Sequence, residues 1–168
     1  MRDQKTLERI QLLHPKLRDE ALTMYDEIVA ALTGTAACRF AYTLRTFAEQ
    51  DALFAQGRTK PGAIVTKAKG GQSYHNYGLA IDIVLLVDKD KNGTFETASW
   101  DLKTDFDGDG KSDWQEVVAI FKRYGYEWGG DWKFVDAPHF QKTLGKSISE
   151  LQTLHNAGKV DKNGFVLI

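Results

Sequence analysis

The apolar run from Leu79 to Val87 (LAIDIVLLV) contains a single charged residue, Asp82, and that residue constrains the fold more than any other. A short segment this rich in Ile, Val and Leu is expected to form a buried strand. An ionised carboxylate within it is costly unless it is paired or bound to a metal. The fold must therefore bring a cation to Asp82, and two histidines stand where they can hold one. His75 lies upstream in Ser73-Tyr74-His75-Asn76-Tyr77-Gly78, and His139 lies far downstream in Asp136-Ala137-Pro138-His139. Two imidazoles and a carboxylate make a mixed nitrogen and oxygen donor set that suits zinc. Three protein ligands leave a fourth position for water, the arrangement of catalytic rather than structural zinc sites. Asp136, three residues before His139, can lie beside the metal without binding it and carry a proton.

The remaining composition narrows the class. A chain of 168 residues is expected to form one domain, 1–168, with a substantial core. Its net charge of -1 hides an acidic stretch: Asp82 to Glu116 holds ten acidic residues against four lysines. No basic stripe is available to neutralise phosphates, so nucleic acid is excluded as a partner. The single Cys38 is expected to pack as a small apolar residue. The charged, amphipathic N-terminus lacks the pattern of a secretory signal, and no apolar stretch is long enough to insert in a membrane. These features lead us to expect a monomer made in the cytoplasm without a signal peptide.

Local signals place the elements. Leu17, Leu22, Tyr25, Ile28, Val29 and Leu32 recur at helical spacing and predict a helix from about Lys16 to Leu32. Cys38, Phe40 and Tyr42 alternate as a strand does. Thr46 with Glu49, and Ser147 with Glu150, form capping boxes that open helices ending near Gly57 and Gly158. Residues 58–72 read as a long loop of the kind that shapes a cleft. Trp114, Val117, Val118, Phe121 and Tyr124 predict an amphipathic helix stopped by Gly125, followed by a strand around Phe134 to Gln141. Asn163-Gly164 is a hairpin signal. Helices and strands do not alternate regularly, so the expected class is α+β with a mainly antiparallel sheet flanked by helices.

Three motifs together resemble a known family. Ser73-x-His75-x-x-Gly78-x-Ala80-x-Asp82, then Trp128-Gly129-Gly130-Asp131-Trp132, then Asp136-x-Pro138-His139-Phe140, are similar to the zinc peptidases of peptidoglycan. These are the D-alanyl-D-alanine carboxypeptidases and, more closely, the L-alanyl-D-glutamate endopeptidases of the phage endolysin-like branch. The resemblance spans roughly Leu12 to Asn156. It implies a Hedgehog/DD-peptidase-like fold, with zinc on His75, Asp82 and His139 and Asp136 as the general base. It also gives a role to Arg45, in Thr43-Leu44-Arg45-Thr46, as the cation that holds the scissile carbonyl oxygen while negative charge develops. Without the resemblance, Arg45 would read as a surface ion pair at a helix start. The implied substrate is the peptidoglycan stem peptide, cut at the L-alanyl-D-glutamate bond in a bacteriolytic role after release to the cell wall. Two rivals stand beside this reading: a D,D- or L,D-carboxypeptidase trimming terminal D-alanine, and a non-catalytic zinc and calcium binding module. A binding module would need neither Asp136 nor Arg45. Ser73, Tyr77 and Trp132, with Trp128, are candidates for substrate contact. A turn cap for Ser73 and core packing for the aromatic residues are the alternatives.

An acidic insertion at about 88–116 carries two further cation candidates. Asp105, Asp107, Asp109, Lys111, Asp113 and Glu116 fall at positions 1, 3, 5, 7, 9 and 12 of an EF-hand calcium loop, with Gly110 at position 6. Asp88, Asp90, Asn92 and Glu96 match positions 1, 3, 5 and 9 of a second loop, whose position 12 is Ser99. Calcium is expected in the first loop and weakly in the second, where it would order the cleft wall and switch activity on.

Overall fold

A computed structural model of the protein describes residues Arg2–Ile168. The expected buried strand, β2 (Ala80–Val87), lies at the centre of a five-stranded antiparallel sheet. Strand β1 (Ala36–Tyr42) pairs along one edge, with Ala36 opposite Val87 and Tyr42 opposite Asp82; the register shifts between Phe40 and Tyr42. Along its other edge β2 changes partner. Leu85–Val87 pair with β3 (Thr97–Ser99), while Ala80–Asp82 pair with β5 (His139–Gln141), and β4 (Glu127–Trp128) extends the sheet beyond β5.

Side-chain alternation in β2 separates core from chemistry. Ile81, Ile83 and Leu85 are fully buried, in a core shared with Met24 and Ile28 of helix α2 (Pro15–Ala31) and Phe121 of helix α4 (Asp113–Arg123). Asp82 points to the other face and is the one residue of β2 that is only partly buried. Burial of several large aliphatic side chains, at roughly 1.5–3 kcal/mol each, holds the strand in place while it presents this carboxylate.

Both expected capping boxes are present. Thr46 opens α3 (Phe47–Ala55) and Ser147 opens α5 (Ile148–Asn156), each exchanging hydrogen bonds with the glutamate three residues on. A further helix, α1 (Gln4–Ile10), was not expected; Asp3 caps it, and Thr6 Oγ1 accepts from Phe40 N at 3.0 Å, which seats it on β1. The strand expected over 134–141 is shorter, only His139–Gln141. Phe134 and Val135 are 72% and 67% exposed, and Pro138, which has no N–H, marks where the ladder starts. Asn163-Gly164 does form a turn, between Val160 and Val166, with Asp161 N donating to Phe165 O at 2.8 Å. No helix among the described residues is long and apolar enough to cross a membrane.

The acidic insertion leaves the sheet at the end of β2 away from Asp82. Asp88 N donates to Thr35 O at 2.9 Å, and Thr33 N to Asp107 Oδ2 at 2.8 Å, so both loops dock on the turn before β1. Six residue steps along the strand, about 20 Å at the usual rise per residue, separate Asp88 from Asp82. The expectation that calcium orders the cleft wall is corrected accordingly. No residue of 88–116 lines the cleft that opens over Asp82, because the insertion emerges at the opposite end of the strand.

Candidate metal centre and active site

Three separate elements deliver the ligands. His75 sits in a short 3-10 turn, Tyr74–Tyr77, whose first N–H groups are capped by Ser73; Asn76 reaches back to Ser73 N at 3.2 Å and donates to Arg45 O at 2.9 Å. The turn ends at Gly78 with φ of 68°, where a Cβ would lie 2.6 Å from His14 N, so only glycine fits. Asp82 and His139 face each other across the β2–β5 ladder. The atoms His75 Nε2, Asp82 Oδ1 and His139 Nδ1 form a nearly equilateral triangle, with sides of 3.0, 3.1 and 3.2 Å. Ligand atoms on a tetrahedral zinc, at ~2.0–2.1 Å from the ion, stand about 3.3 Å apart.

Hydrogen bonding fixes which ring nitrogens are free. His75 Nδ1 lies 2.7 Å from the carbonyl of Thr43, which can only accept, so Nδ1 carries the proton and Nε2 presents a lone pair. Glu127 Oε2 accepts from Gln141 Nε2 at 2.9 Å; this turns Gln141 Oε1 toward His139 Nε2, 3.1 Å away. Nε2 of His139 is therefore the donor, and Nδ1 faces the triangle unprotonated. Two imidazole lone pairs and a carboxylate oxygen then converge with no proton between them. Such an arrangement is repulsive until a cation occupies the centre, and a divalent ion of zinc's donor preference fits it.

The pKa shifts describe the same site with protonated imidazoles standing in for a metal ion. Burial would raise the pKa of Asp82, but the imidazoles of His139 and His75 outweigh it and hold the carboxyl well below the usual range. Burial would lower the pKa of His139, yet the hydrogen bond and charge of Asp82 raise it. Both shifts are those of a carboxylate paired with an imidazolium, whose positive charge takes the place a metal ion would have.

A cleft of about 550 Å³ opens over the triangle, and Arg45, Ser73, Trp132 and Asp136 line it together with the three ligands. Asp136 is placed by a close backbone approach. Its N donates to Gly129 O at 2.9 Å, and a Cβ on Gly129 would lie 2.3 Å from Asp136 O. Partial dehydration by the cleft walls, with the charge of Asp82, raises the pKa of Asp136, the direction a proton carrier needs. Arg45 N donates to His75 O at 3.0 Å, and its guanidinium reaches 3.7 Å from Asp82 Oδ2, beside but not within the triangle.

Residues 66–142, which carry all three ligands and Asp136, match a family model described as D-alanyl-D-alanine carboxypeptidase. The chain is also similar to the peptidoglycan L-alanyl-D-glutamate endopeptidase CwlK of Bacillus subtilis, 57% identical over 98 residues, 58% of this chain and 55% of that protein. It is 33% identical over 106 residues to the L-alanyl-D-glutamate peptidase of a Listeria phage, covering 58% of this chain and 33% of the relative. The alignments thus span about half and a third of these relatives' lengths. The crystal structure of the L-Ala D-Glu endopeptidase ChiX of Serratia marcescens shares the fold, with a TM-score of 0.53 and 21% identity over 84% of this chain and 88% of that one.

Within the matched segment some expected contacts move. Tyr77, expected at the cleft, is 2% exposed; its hydroxyl donates to Gly71 O at 2.8 Å and its ring packs on Phe47. Trp128 does not line the cleft either. It stacks on Phe140 and donates from Nε1 to Ala137 O at 2.7 Å, bracing the segment between Asp136 and His139. Ser73 both caps the His75 turn and lines the cleft, and Trp132 lines it beside the His139 ring. Gln141 and the Thr43 carbonyl were missed by sequence reasoning. The signal for Gln141 was its position two residues after His139, on the same strand face.

Proposed function

We propose that this chain is a zinc peptidase that hydrolyses the L-alanyl-D-glutamate bond of the peptidoglycan stem peptide, acting as a monomer on the cell wall after release from the cytoplasm. The observation that carries the reading is the convergence of His75 Nε2, Asp82 Oδ1 and His139 Nδ1 under a cleft that also holds Asp136 and Arg45. The names of the two relatives support the bond. When bound by His75, Asp82 and His139, zinc supplies Lewis acidity at the reacting carbonyl and makes water acidic enough to attack near neutral pH. The carboxylate of Asp136 takes the proton from the attacking water and returns it to the departing amine as the C–N bond breaks. Arg45 donates to the carbonyl oxygen as charge builds there, a contribution of about 2.7–4 kcal/mol for a well-placed donor. Ser73 and Trp132 are the residues we assign to substrate contact.

The family description favours a second reading, a carboxypeptidase that trims terminal D-alanine with the same machinery. Digestion of an intact stem peptide, followed by mass spectrometry, separates the two. Release of an N-terminal fragment ending in L-alanine supports the endopeptidase. Loss of a single alanine from the C-terminus replaces that reading with the rival.

Calcium is the second cofactor we propose, in the loop from Asp105 to Glu116. Asp105, Asp107 and Asp113 form one group of oxygens close enough to share an ion, and Asp107, Asp109 and Glu116 form another. Asp113 is wholly buried at the base of the loop and its Oδ1 has no hydrogen-bond partner. Such an oxygen is costly to bury unless a ligand meets it. Lys111 contributes its ammonium to Asp109 and Glu116, at 2.9 and 3.3 Å, leaving its carbonyl as the EF-hand ligand. Asp88, Asp90 and Glu96 form a smaller group, with Asn92 in the same loop, and would bind calcium more weakly.

A further inference from the structure

Glutamine is mostly a surface residue, yet Gln50 on α3 is fully buried. Its amide is completely used. Oε1 accepts from Arg45 Nη1 at 2.9 Å, and Nε2 donates to Ala68 O at 2.8 Å and to Thr66 Oγ1 at 3.3 Å. The orientation is unambiguous, because a guanidinium only donates and a carbonyl only accepts. Thr66 and Ala68 both line the cleft.

Little else holds the guanidinium of Arg45. Its Nη2 is 3.7 Å from Asp82 Oδ2, beyond a hydrogen bond, and its charge sits 5.4 Å from the centre of the Tyr42 ring. Nε is buried without a partner. Among the described residues, the hydrogen bond to Gln50 is the one short contact that fixes the direction of the guanidinium.

We infer that Gln50 is a positioning residue: it aims Arg45 at the reacting carbonyl and ties that aim to the cleft loop at Thr66–Ala68. The inference rests on the oxyanion role proposed for Arg45. Glutamine suits the task for a physical reason. A carboxylate in its place would neutralise the guanidinium, whereas a neutral amide oxygen holds it and leaves the positive charge for the substrate. An apolar side chain would fill the space and leave the guanidinium undirected.

The test compares Gln50→Met, Gln50→Glu, Arg45→Met and the double variant Gln50→Met/Arg45→Met, all zinc-loaded, on a synthetic stem peptide. Zinc content, thermal midpoint, kcat and KM are measured for each. Gln50→Met is expected to lower kcat by about 10–100-fold, the usual cost of losing a supporting hydrogen bond at a site, with KM and zinc content near the parent values. Gln50→Glu keeps the shape and the acceptor, so it serves as the second arm should the Met variant fold poorly; it is expected to lose kcat as well. The double variant should be no slower than Arg45→Met alone, because the glutamine acts through the arginine. Unchanged kcat in both Gln50 variants, or losses that multiply in the double variant, would overturn the inference. Full turnover in Arg45→Met would instead remove the oxyanion reading, and with it the role of Gln50.

Discussion

The two ends of strand β2 both gather carboxylates, but they satisfy them differently. At the Asp82 end the ligand atoms have partners on independent elements: the Thr43 carbonyl fixes His75, and the Gln141–Glu127 pair fixes His139. At the Asp88 end the carboxylates are met mainly by their own loops, although Thr33 N also reaches Asp107 and Asp113 Oδ1 has no partner. Asp105 accepts from Gly108 N and Gly110 N, Asp88 accepts from Asn92 N and Gly93 N, and most of the residues of these loops are exposed to water. A site braced from outside keeps its geometry before the ion arrives, which is what chemistry on a substrate requires. A loop folded around its own backbone gains order from the ion instead. The first cation should therefore govern turnover, and the second should govern stability.

The largest expected effect lies at the first end. Asp136→Ala should keep one zinc per chain and lose roughly 10²–10⁴-fold in kcat, the usual contribution of a proton carrier. Zinc analysis and steady-state kinetics check this, and zinc loss would make Asp136 a ligand. Next comes the brace itself. Gln141→Ala should weaken zinc binding by about 10–100-fold, read by competition with a chelator, while a binding constant equal to the parent's would show that His139 needs no support.

Calcium should have a smaller effect of a different kind. At a hundredfold excess over its Kd it should stabilise by about 2.7 kcal/mol and raise the thermal midpoint by roughly 5–10 °C. The kcat/KM at 25 °C should not change, and turnover that tracked calcium occupancy would break the contrast between the two ends. The smallest effect is a pH dependence. Burial, with the charges of Asp107 and Asp105, pushes the Asp113 carboxyl up from 3.8 to about 6. A raised carboxyl pKa means stability that is complete below about 4 and lost as pH rises through about 6. Thermal melts in chelator should follow that slope, and saturating calcium should flatten it; Asp113→Asn should abolish the slope.

Much of this was legible in the sequence for local reasons. The Thr46–Glu49 and Ser147–Glu150 boxes mark helix starts because capping is satisfied within four residues. Asp82 pointed to a metal because a lone carboxylate in an apolar strand needs a cation to offset its burial. The missed features depend on tertiary partners. Gln50 and Gln141 look like surface glutamines until the fold sets them against Arg45 and His139. Phe134 and Val135 resemble strand residues, yet they lie exposed beside the cleft because pairing begins only after Pro138. Tyr77 is the reverse case, an aromatic residue near the motif that belongs to the core.

Nitrogen-15 NMR of the imidazoles, recorded while zinc is titrated into the protein, tests the central claim most directly. One equivalent of zinc should shift His75 Nε2 and His139 Nδ1 to metal-bound values, with protons retained on His75 Nδ1 and His139 Nε2. Protons found on the two facing nitrogens at saturating zinc, or imidazole signals indifferent to the ion, would contradict it.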